Sequence, residues 1–583
     1  MSLSEEDERL EKLLHWSQAH GGRVHAGLEV YRDAATGLSL RVRPDHSGLA
    51  EGATVVFCPL STSLSYLNAL SGGPLLMGTQ PPQEPAGEST SVEASAEFSS
   101  FPPAFVAETA PHVVGRFFLV QQHLLGAASP WYAYLATLPR PDEPTTWALP
   151  AVWGRSGGDG TARALALLAG TNASTAAAEM RTHIDAEFAA AQERLQRLGF
   201  AAAPAYTQRL YDWAFCVFTS RSFRPSLVLD PDVQAVLRGL KSSGGDDDDD
   251  DGSPLPRLPA SCQIDDFSLL LPVLDLANHD PTAAVRWVTS GAGAAEAAED
   301  PEAPEAPGAE KAAPTPGVAF CVDQPYAPGQ QVFNNYGAKT NSELLLGYGF
   351  VLRPTPALHN DYVHLRKRGA AATPSTGAGP QATLPQDFLL SLRPLDDASS
   401  PVGAARQWRQ PVVQHGQASA PADAPTGPVL PPAFGRFEDA LLWDLCTQLW
   451  TADEQQALQA ATVERIDATA PLTAQRAMVL SCVFGDAAEP AGPGESDDSC
   501  PWAGLVDRVR QTLLAKVGMD YERLEEADDD GNGYAEEEEE EGNDDNEEQH
   551  PIRLARAYRE QYRTVIIAAL TALDPELEVV EGT

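Results

Sequence analysis

Leu271–Asp280 reads LPVLDLANHD, and Val332–Phe350 reads VFNNYGAKTNSELLLGYGF. Both open on apolar residues and then place polar groups where a core strand ordinarily has none. Asn278 and His279 put a carboxamide and an imidazole at the end of an apolar strand, where either would cost free energy unless hydrogen-bonded, so a polar partner must meet them. Tyr336 stands directly before Gly337, which lets the backbone turn sharply while the phenol points from a buried wall and lines a narrow pocket. The rest of the second stretch predicts a helix from Ser342, with Asn341 as its N-cap. A third word, SRSF at Ser220–Phe223, carries a guanidinium at Arg221.

Around these words the texture alternates. From Val30 to Leu67 short runs such as LSLRV and TVVFC, broken by Gly, Pro and Asp, predict strands. Residues 105–240 show apolar spacing near 3.6, as in Ala186–Leu198 and Thr207–Phe218, and predict a helical insert reaching to about residue 260. Strand texture returns from Phe267 to Val363 (SLLLPVLDLANHD, GVAFCV, QVFNNYG), and beyond residue 435 the pattern is again helical. Ile552–Leu573 (IRLARAYREQYRTVIIAALTAL) has the apolar face of a core-packed helix. Tracts rich in Pro, Gly, Ala, Ser and acids, at roughly 79–100, 241–260, 290–316, 369–384, 396–430, 485–498 and 525–549, have too few large apolar residues to offset chain entropy and are expected as loops or linkers.

The chain of 583 residues has 82 acidic against 40 basic residues and a formal net charge of −42, which disfavours direct binding to nucleic acid or anionic membranes. Half of that charge lies in two segments, Asp246–Asp251 with 6 acids and Glu525–Glu548 with 15. The folded remainder is only moderately acidic. The 7 cysteines are scattered without a CxxC spacing, so neither a disulfide framework nor a zinc site is expected, and no metal. The opening MSLSEEDERLEKLLHW lacks the features of a signal or transit peptide, and no apolar run reaches the roughly 20 residues of a membrane-spanning helix. A soluble, cytoplasmic or nuclear protein is the expectation, with a monomer as the starting assumption.

Taken together, LLHWSQAHGGRVHAGLEV near the start, GLSLRV at Gly37–Val42, SRSF, DLANH and NNYGAKTNSELLLGYGF resemble the SET-domain protein methyltransferases. The similarity is to the branch that includes the plant Rubisco large-subunit lysine methyltransferase and the actin-histidine methyltransferase. The DLxNH and YGxKxNxELLLxYGF combination is far more specific than either word alone. The resemblance implies an α+β fold. It has a β-rich SET core of small sheets with a pseudoknot and a helical insert over residues 1–368, followed by an all-α substrate-binding domain over 385–583. It also implies S-adenosylmethionine held by the Gly37–Leu40 turn, through Gly37, Leu38 and Ser39, and by Arg221, Asp275, Asn278 and His279. Arg221 would present donors to a carboxylate, and the Asn278–His279 segment would meet adenine edges. Ser39 stands where the family usually has a second glycine. Tyr336 matches the family's catalytic tyrosine, and Tyr348 a tyrosine near the target side chain.

The implied reaction is methyl transfer to a protein lysine, of a ribosomal protein, translation factor or metabolic enzyme. Histidine methylation, or a non-catalytic scaffold that binds basic proteins, stands as the alternative. Acidic loops favour a basic partner in each case. Other readings carry less. Asp275, beside a strand end, can simply cap a backbone amide. Asp528, Asp530, Asn532, Gly533 and Glu539 fit the spacing of a calcium-binding loop, but they lie in a polyacidic run with no second hand, so a solvated acidic loop is expected. The N-x-S word at Asn172 is discounted as a glycosylation site for want of a secretory signal.

Overall fold

The structure is a computed structural model of the 583-residue chain. It describes residues 3–33, 36–76, 100–143, 147–155, 159–240, 255–289, 316–366, 387–408, 430–462, 469–485, 501–529 and 550–577. The chain divides into two compact units, one of residues 1–148, 180–337 and 374–383, the other of 149–179, 338–373 and 384–583.

Among the described residues of the first unit the strands are short and pair antiparallel. β1 (Arg23–Val24), β4 (Thr54–Pro59), β9 (Gly317–Val322) and β8 (Val285–Thr289) form a four-stranded sheet in the order β1-β4-β9-β8. A second sheet runs β10-β3-β2, from Gln331–Val332, Gly37–Val42 and Leu28–Asp33. A third runs β5-β7-β6, from Leu64–Ser65, Leu269–Leu270 and Ser222–Phe223. The runs TVVFCP and GVAFCV bury nearly every residue, as central strands packed on both faces do. The helical insert is present, with helices Pro111–Leu125 and Gln208–Arg221 and the helix Asn172–Arg197, in which the division of the chain falls. Its core is aromatic: Phe101, Phe105, Phe117, Phe200, Tyr206 and Tyr211 contact one another with ring centroids 5.1–6.1 Å apart.

The second unit is mainly helical. Ala503–Ala527 and His550–Leu573 are its longest helices, and they bury Leu505, Val509, Leu513, Val517 and Leu524 on one and Ala555, Tyr558, Val565, Ile566, Ala569 and Leu573 on the other, at the spacing of amphipathic packing. It also holds one antiparallel pair, β11 (Tyr362–Arg366) with β12 (Asp387–Ser391).

Four local expectations are corrected. Leu271–Asp280 is not the end of a long strand: β7 stops at Leu270, and Leu274–Leu276 form a 3₁₀ turn. Pro272 has no N–H for a ladder, and buried Val273 has φ 72°, a strained conformation for a β-branched residue that reverses the chain. The helix of the second stretch is Asn341–Tyr348, and its N-cap is Thr340, not Asn341. Thr340 and Glu343 close a reciprocal capping box, with Glu343 N–H to Thr340 Oγ1 at 3.2 Å and Thr340 N–H to Glu343 Oε2 at 2.8 Å. Asn341 is thereby released to donate to Leu352 O at 2.8 Å and Asp361 Oδ1 at 3.0 Å.

Residues 396–408, expected as loop, carry the short helix Pro401–Ala404 and bury Val402, Ser399 and Ser400. Gly403 fits there because a Cβ would lie 2.0 Å from Leu395 Cδ2. The acidic run is structured at its start as well. The helix Ala503–Ala527 runs through Glu525, and Asp528 accepts from Arg559 at 2.6 Å and pairs with Arg563. Asp528 is thus engaged by two guanidiniums, while Asp530, Asn532, Gly533 and Glu539 lie outside the described residues, as do most of the other low-complexity tracts.

Candidate functional site

Seven of the residues singled out as a cofactor site, with Tyr336, fall together in the first unit, and the strand pairings explain how. β6 lies against β7 with Ser222 opposite Leu270 and Phe223 opposite Leu269. That register sets Arg221, the last residue of helix Gln208–Arg221, beside the turn that carries Asp275. Arg221 Nη1 is 3.5 Å from Asp275 Oδ2, and the Asp275 side chain is 1% exposed against 25% for Arg221.

Past that turn the chain meets the NNYG segment. His279 and Asn334 form a parallel bridge, in which Asn334 N–H donates to Asn278 O at 2.7 Å and Asp280 N–H donates to Asn334 O at 2.9 Å. Asn335 locks the crossing, donating from Nδ2 to Pro281 O at 3.1 Å and Ala283 O at 3.2 Å and accepting Gly337 N–H at Oδ1 at 2.9 Å. Tyr336 is held at both ends of its residue: its backbone N–H donates to His279 Nδ1 at 3.1 Å, and its hydroxyl donates to Ala277 O at 3.0 Å. Accepting at Nδ1 puts the proton of the neutral His279 ring on Nε2. The two rings stack at 4.9 Å with a 14° interplanar angle.

The third piece is the start of β3. The turn that sequence reading assigns to Gly37–Leu40 ends at Gly37, which already pairs with Asp33, and Gly37–Val42 is strand throughout. Gly37 takes φ 72°, and a Cβ there would meet nothing within 4 Å, so open space adjoins this glycine. Asn278 reaches this strand, donating from Nδ2 to Leu38 O at 3.1 Å and to Ser39 Oγ at 2.7 Å. Ser39 is fully buried, and its hydroxyl donates to Gly37 O at 3.0 Å while accepting from Gln331 Nε2 at 3.1 Å. The serine that replaces a glycine is therefore a hydrogen-bonding link between β3, β10 and Asn278. With both Nδ2 hydrogens used, the Asn278 carboxamide has only its oxygen left to offer.

Electrostatics single out Asp275. Burial raises its carboxyl above the ordinary range, and Arg221 and the Tyr134 hydroxyl oppose that only in part. Oδ2 accepts from Tyr134 at 2.8 Å, while Oδ1 is buried with no hydrogen-bond partner among the described residues. Sequence reading missed Tyr134. It lies in the four-residue helix Tyr132–Leu135, where nothing in the apolar pattern separates it from a core aromatic. It also missed Gln331, whose part depends on a strand pairing that the sequence does not display. Tyr348 is in the second unit, half-buried at the end of helix Asn341–Tyr348, with its ring 6.3 Å from that of Phe350. Among the described residues no cluster of His, Cys, Asp and Glu could hold a metal ion, and no helix is long and apolar enough to cross a membrane.

No family model matches the chain. In sequence it is similar to the ribosomal lysine N-methyltransferase set10 of Schizosaccharomyces pombe (strain 972 / ATCC 24843), 25% identical over 373 residues, which cover 62% of this chain. The match covers 50% of that relative, so the chain spans about half the length of the curated protein it matches. Among solved structures it is similar to the SET domain of LSMT bound to lysine and AdoHcy, at 14% identity and TM-score 0.47, over 99% of this chain and 92% of that one. Rubisco LSMT bound to AdoMet gives 12% identity and TM-score 0.45, over 97% and 92%. Rubisco LSMT with sinefungin and monomethyllysine gives 13% and 0.45 over the same shares.

Proposed function

We propose that the protein is an S-adenosylmethionine-dependent protein lysine N-methyltransferase, that its target is a lysine of a ribosomal or other basic protein, and that it works in the cytoplasm. One observation carries this reading. Four sequence words that share no neighbourhood in the chain, GLS, SRSF, DLANH and NNYG, meet through Asn278, Asp275 and the His279–Asn334 bridge. The relative's name, ribosomal lysine N-methyltransferase, supports the choice of lysine and of a ribosomal target. The net charge of −42 favours a basic partner.

The residues present fit the cofactor. Arg221 has donors beyond its contact with Asp275, suited to a carboxylate. The buried Asp275 Oδ1 lacks a donor, and open space adjoins Gly37. Gly37, Leu38, Ser39, Arg221, Asp275, Asn278 and His279 would hold it, and S-adenosylmethionine when bound would supply an electrophilic methyl group on a sulfonium. Tyr336, whose hydroxyl donates to Ala277 O, would keep its oxygen lone pairs as acceptors for weak, directional contacts from polarised C–H groups. A lysine with an ordinary pKa of about 10.4 must lose its proton before its lone pair can attack. Desolvation beside the Tyr336 and His279 rings lowers that pKa. Most of the acceleration comes from orientation.

The test is incubation of the purified protein with isotopically labelled S-adenosylmethionine and whole-cell extract, with Tyr336→Phe in parallel. A labelled band that is lost in the variant and yields methyl-lysine on hydrolysis is the expected result. Methyl-histidine in that band would replace the target. No band from protein that demonstrably binds the cofactor would turn the reading toward a scaffold.

A further inference from the structure

Tyr134 has no place in the motif set, yet it makes the shortest contact to the buried acid of the site. Its ring is 1% exposed, and its hydroxyl donates to Asp275 Oδ2 at 2.8 Å across 141 residues of chain. Burial raises the phenol well above its usual range, so it remains a donor at any working pH. The turn that carries it is anchored two ways: Trp131 Nε1–H donates to Thr62 O at 3.0 Å, and Trp131 N–H donates to Ser129 Oγ at 3.1 Å. Its turn therefore has anchors of its own besides the bond to Asp275.

The geometry of the neighbouring ion pair is unusual in a way that Tyr134 accounts for. A guanidinium beside a carboxylate ordinarily closes into a two-pronged fork with N–H···O distances near 2.8 Å. Here the ion-pair contact, from Arg221 Nη1, is 3.5 Å, it falls on the oxygen that Tyr134 already occupies, and Oδ1 is buried without a hydrogen-bond partner among the described residues. A carboxylate pinned by the phenol cannot rotate to present both oxygens to Arg221. The guanidinium is 25% exposed, has no other partner among the described residues, and keeps its remaining N–H groups for a ligand.

We propose that Tyr134 is a positioning residue: by pinning Asp275 it keeps Arg221 from closing onto that carboxylate and so holds the guanidinium ready for the carboxylate of the bound cofactor. This rests on the cofactor reading above. Loss of the phenol lets Asp275 swing into a fork with Arg221, and the site loses affinity for the amino-acid end of the ligand while the nucleoside end is untouched.

Calorimetric titration of the full chain tests this with two probes, S-adenosylhomocysteine and 5′-methylthioadenosine, the second lacking the amino-acid portion. Tyr134→Phe, Arg221→Ala and the double variant are compared, with thermal unfolding run on each. Tyr134→Phe is expected to weaken S-adenosylhomocysteine about tenfold, the scale of a hydrogen bond to a charged group, and to leave methylthioadenosine unchanged. In the Arg221→Ala background it should have no further effect. The weakening in Tyr134→Phe should also shrink as pH falls and Asp275 takes a proton, because a neutral carboxyl no longer competes for Arg221. The groups facing that carboxylate are Tyr134, Arg221 and the Cys58 thiol.

Equal weakening of both probes would mark a merely structural tyrosine and overturn the proposal, as would unchanged S-adenosylhomocysteine binding where Arg221→Ala loses it. A wild-type protein that binds neither probe would overturn the cofactor reading and this proposal with it. If Tyr134→Phe does not fold, Trp131→Phe, which cuts the Thr62 anchor of the turn that carries Tyr134, asks the same question: a loss confined to S-adenosylhomocysteine supports the proposal, and loss of both probes overturns it.

Discussion

Two carboxylates of the first unit, Glu187 half-buried and Asp275 buried, share a guanidinium and a phenol as partners and have opposite chemistry. Glu187, in the helical insert, takes Arg116 at 2.6 Å and Tyr211 at 2.9 Å on Oε2 and His112 at 2.8 Å on Oε1. Asp275 takes Tyr134 at 2.8 Å and Arg221 at 3.5 Å on Oδ2 and nothing among the described residues on Oδ1. For both, burial is the largest effect and pushes the carboxyl up. At Glu187 the charged partners outweigh it and hold the group at about 2, whereas at Asp275 they do not and the group stays raised. A finished ion-pair network stabilises a fold. One left short of a donor keeps a raised carboxyl and an unused acceptor, the features on which the proposed cofactor site rests.

That contrast can be broken from either side. The largest effect expected is on Glu187→Gln, which leaves Arg116, 8% exposed, without its counter-charge and should cost about 3–5 kcal/mol in denaturant unfolding while cofactor affinity is unchanged. Nearly as large is the pH dependence. Because Glu187 is depressed from 4.5 to about 2, its contribution is present above pH 4.5 and is lost as pH falls through 2, worth roughly 3 kcal/mol at most. Asp275 has the opposite sign: its ionised form opposes folding at neutral pH, and that opposition is relieved as pH falls through its raised value. Acid titration of stability in wild type and Glu187→Gln checks this, and the two curves should converge toward pH 2.

Asp275→Asn should change stability by less than about 1 kcal/mol, since it removes a charge whose burial is costly, yet weaken S-adenosylhomocysteine about tenfold, or about 1.4 kcal/mol. The smallest effect is expected for Ser39→Gly. It removes one acceptor from Asn278 and should weaken cofactor binding about two- to fivefold, read by the same titration, with a loss of stability of about 0.5–1 kcal/mol.

How much of this was legible depends on range along the chain. GLSLRV and TVVFC read as strands and are strands, because β-branched and apolar alternation is a local signal. Ala186–Leu198 and Thr207–Phe218 read as helices for the same reason. LPVLDLANHD read as a strand end but is a 3₁₀ turn, because Pro272 and the positive φ of Val273 override an apolar run. The N-cap was set one residue late, since Asn341 and Thr340 are both good caps and only the reciprocal bond with Glu343 decides between them. Residues 396–408 read as linker because small and polar residues gave no periodicity, yet Leu395 and Val402 pack there with Tyr362 and Leu389.

By itself the sequence determined which residues could do chemistry: a guanidinium at Arg221, a phenol before a glycine at Tyr336, an Asn–His pair after an apolar run, and an acidic balance that favours basic partners. Those are properties of side chains and neighbours, and they are fixed before folding. Only the tertiary structure decided that Asn278 spends both donors on β3, that Ser39 links it to Gln331, and that Tyr134 from the insert governs Asp275. Such contacts join residues 141 to 292 positions apart, and hydrogen bonds of about 3 Å depend on register and packing that no local pattern encodes.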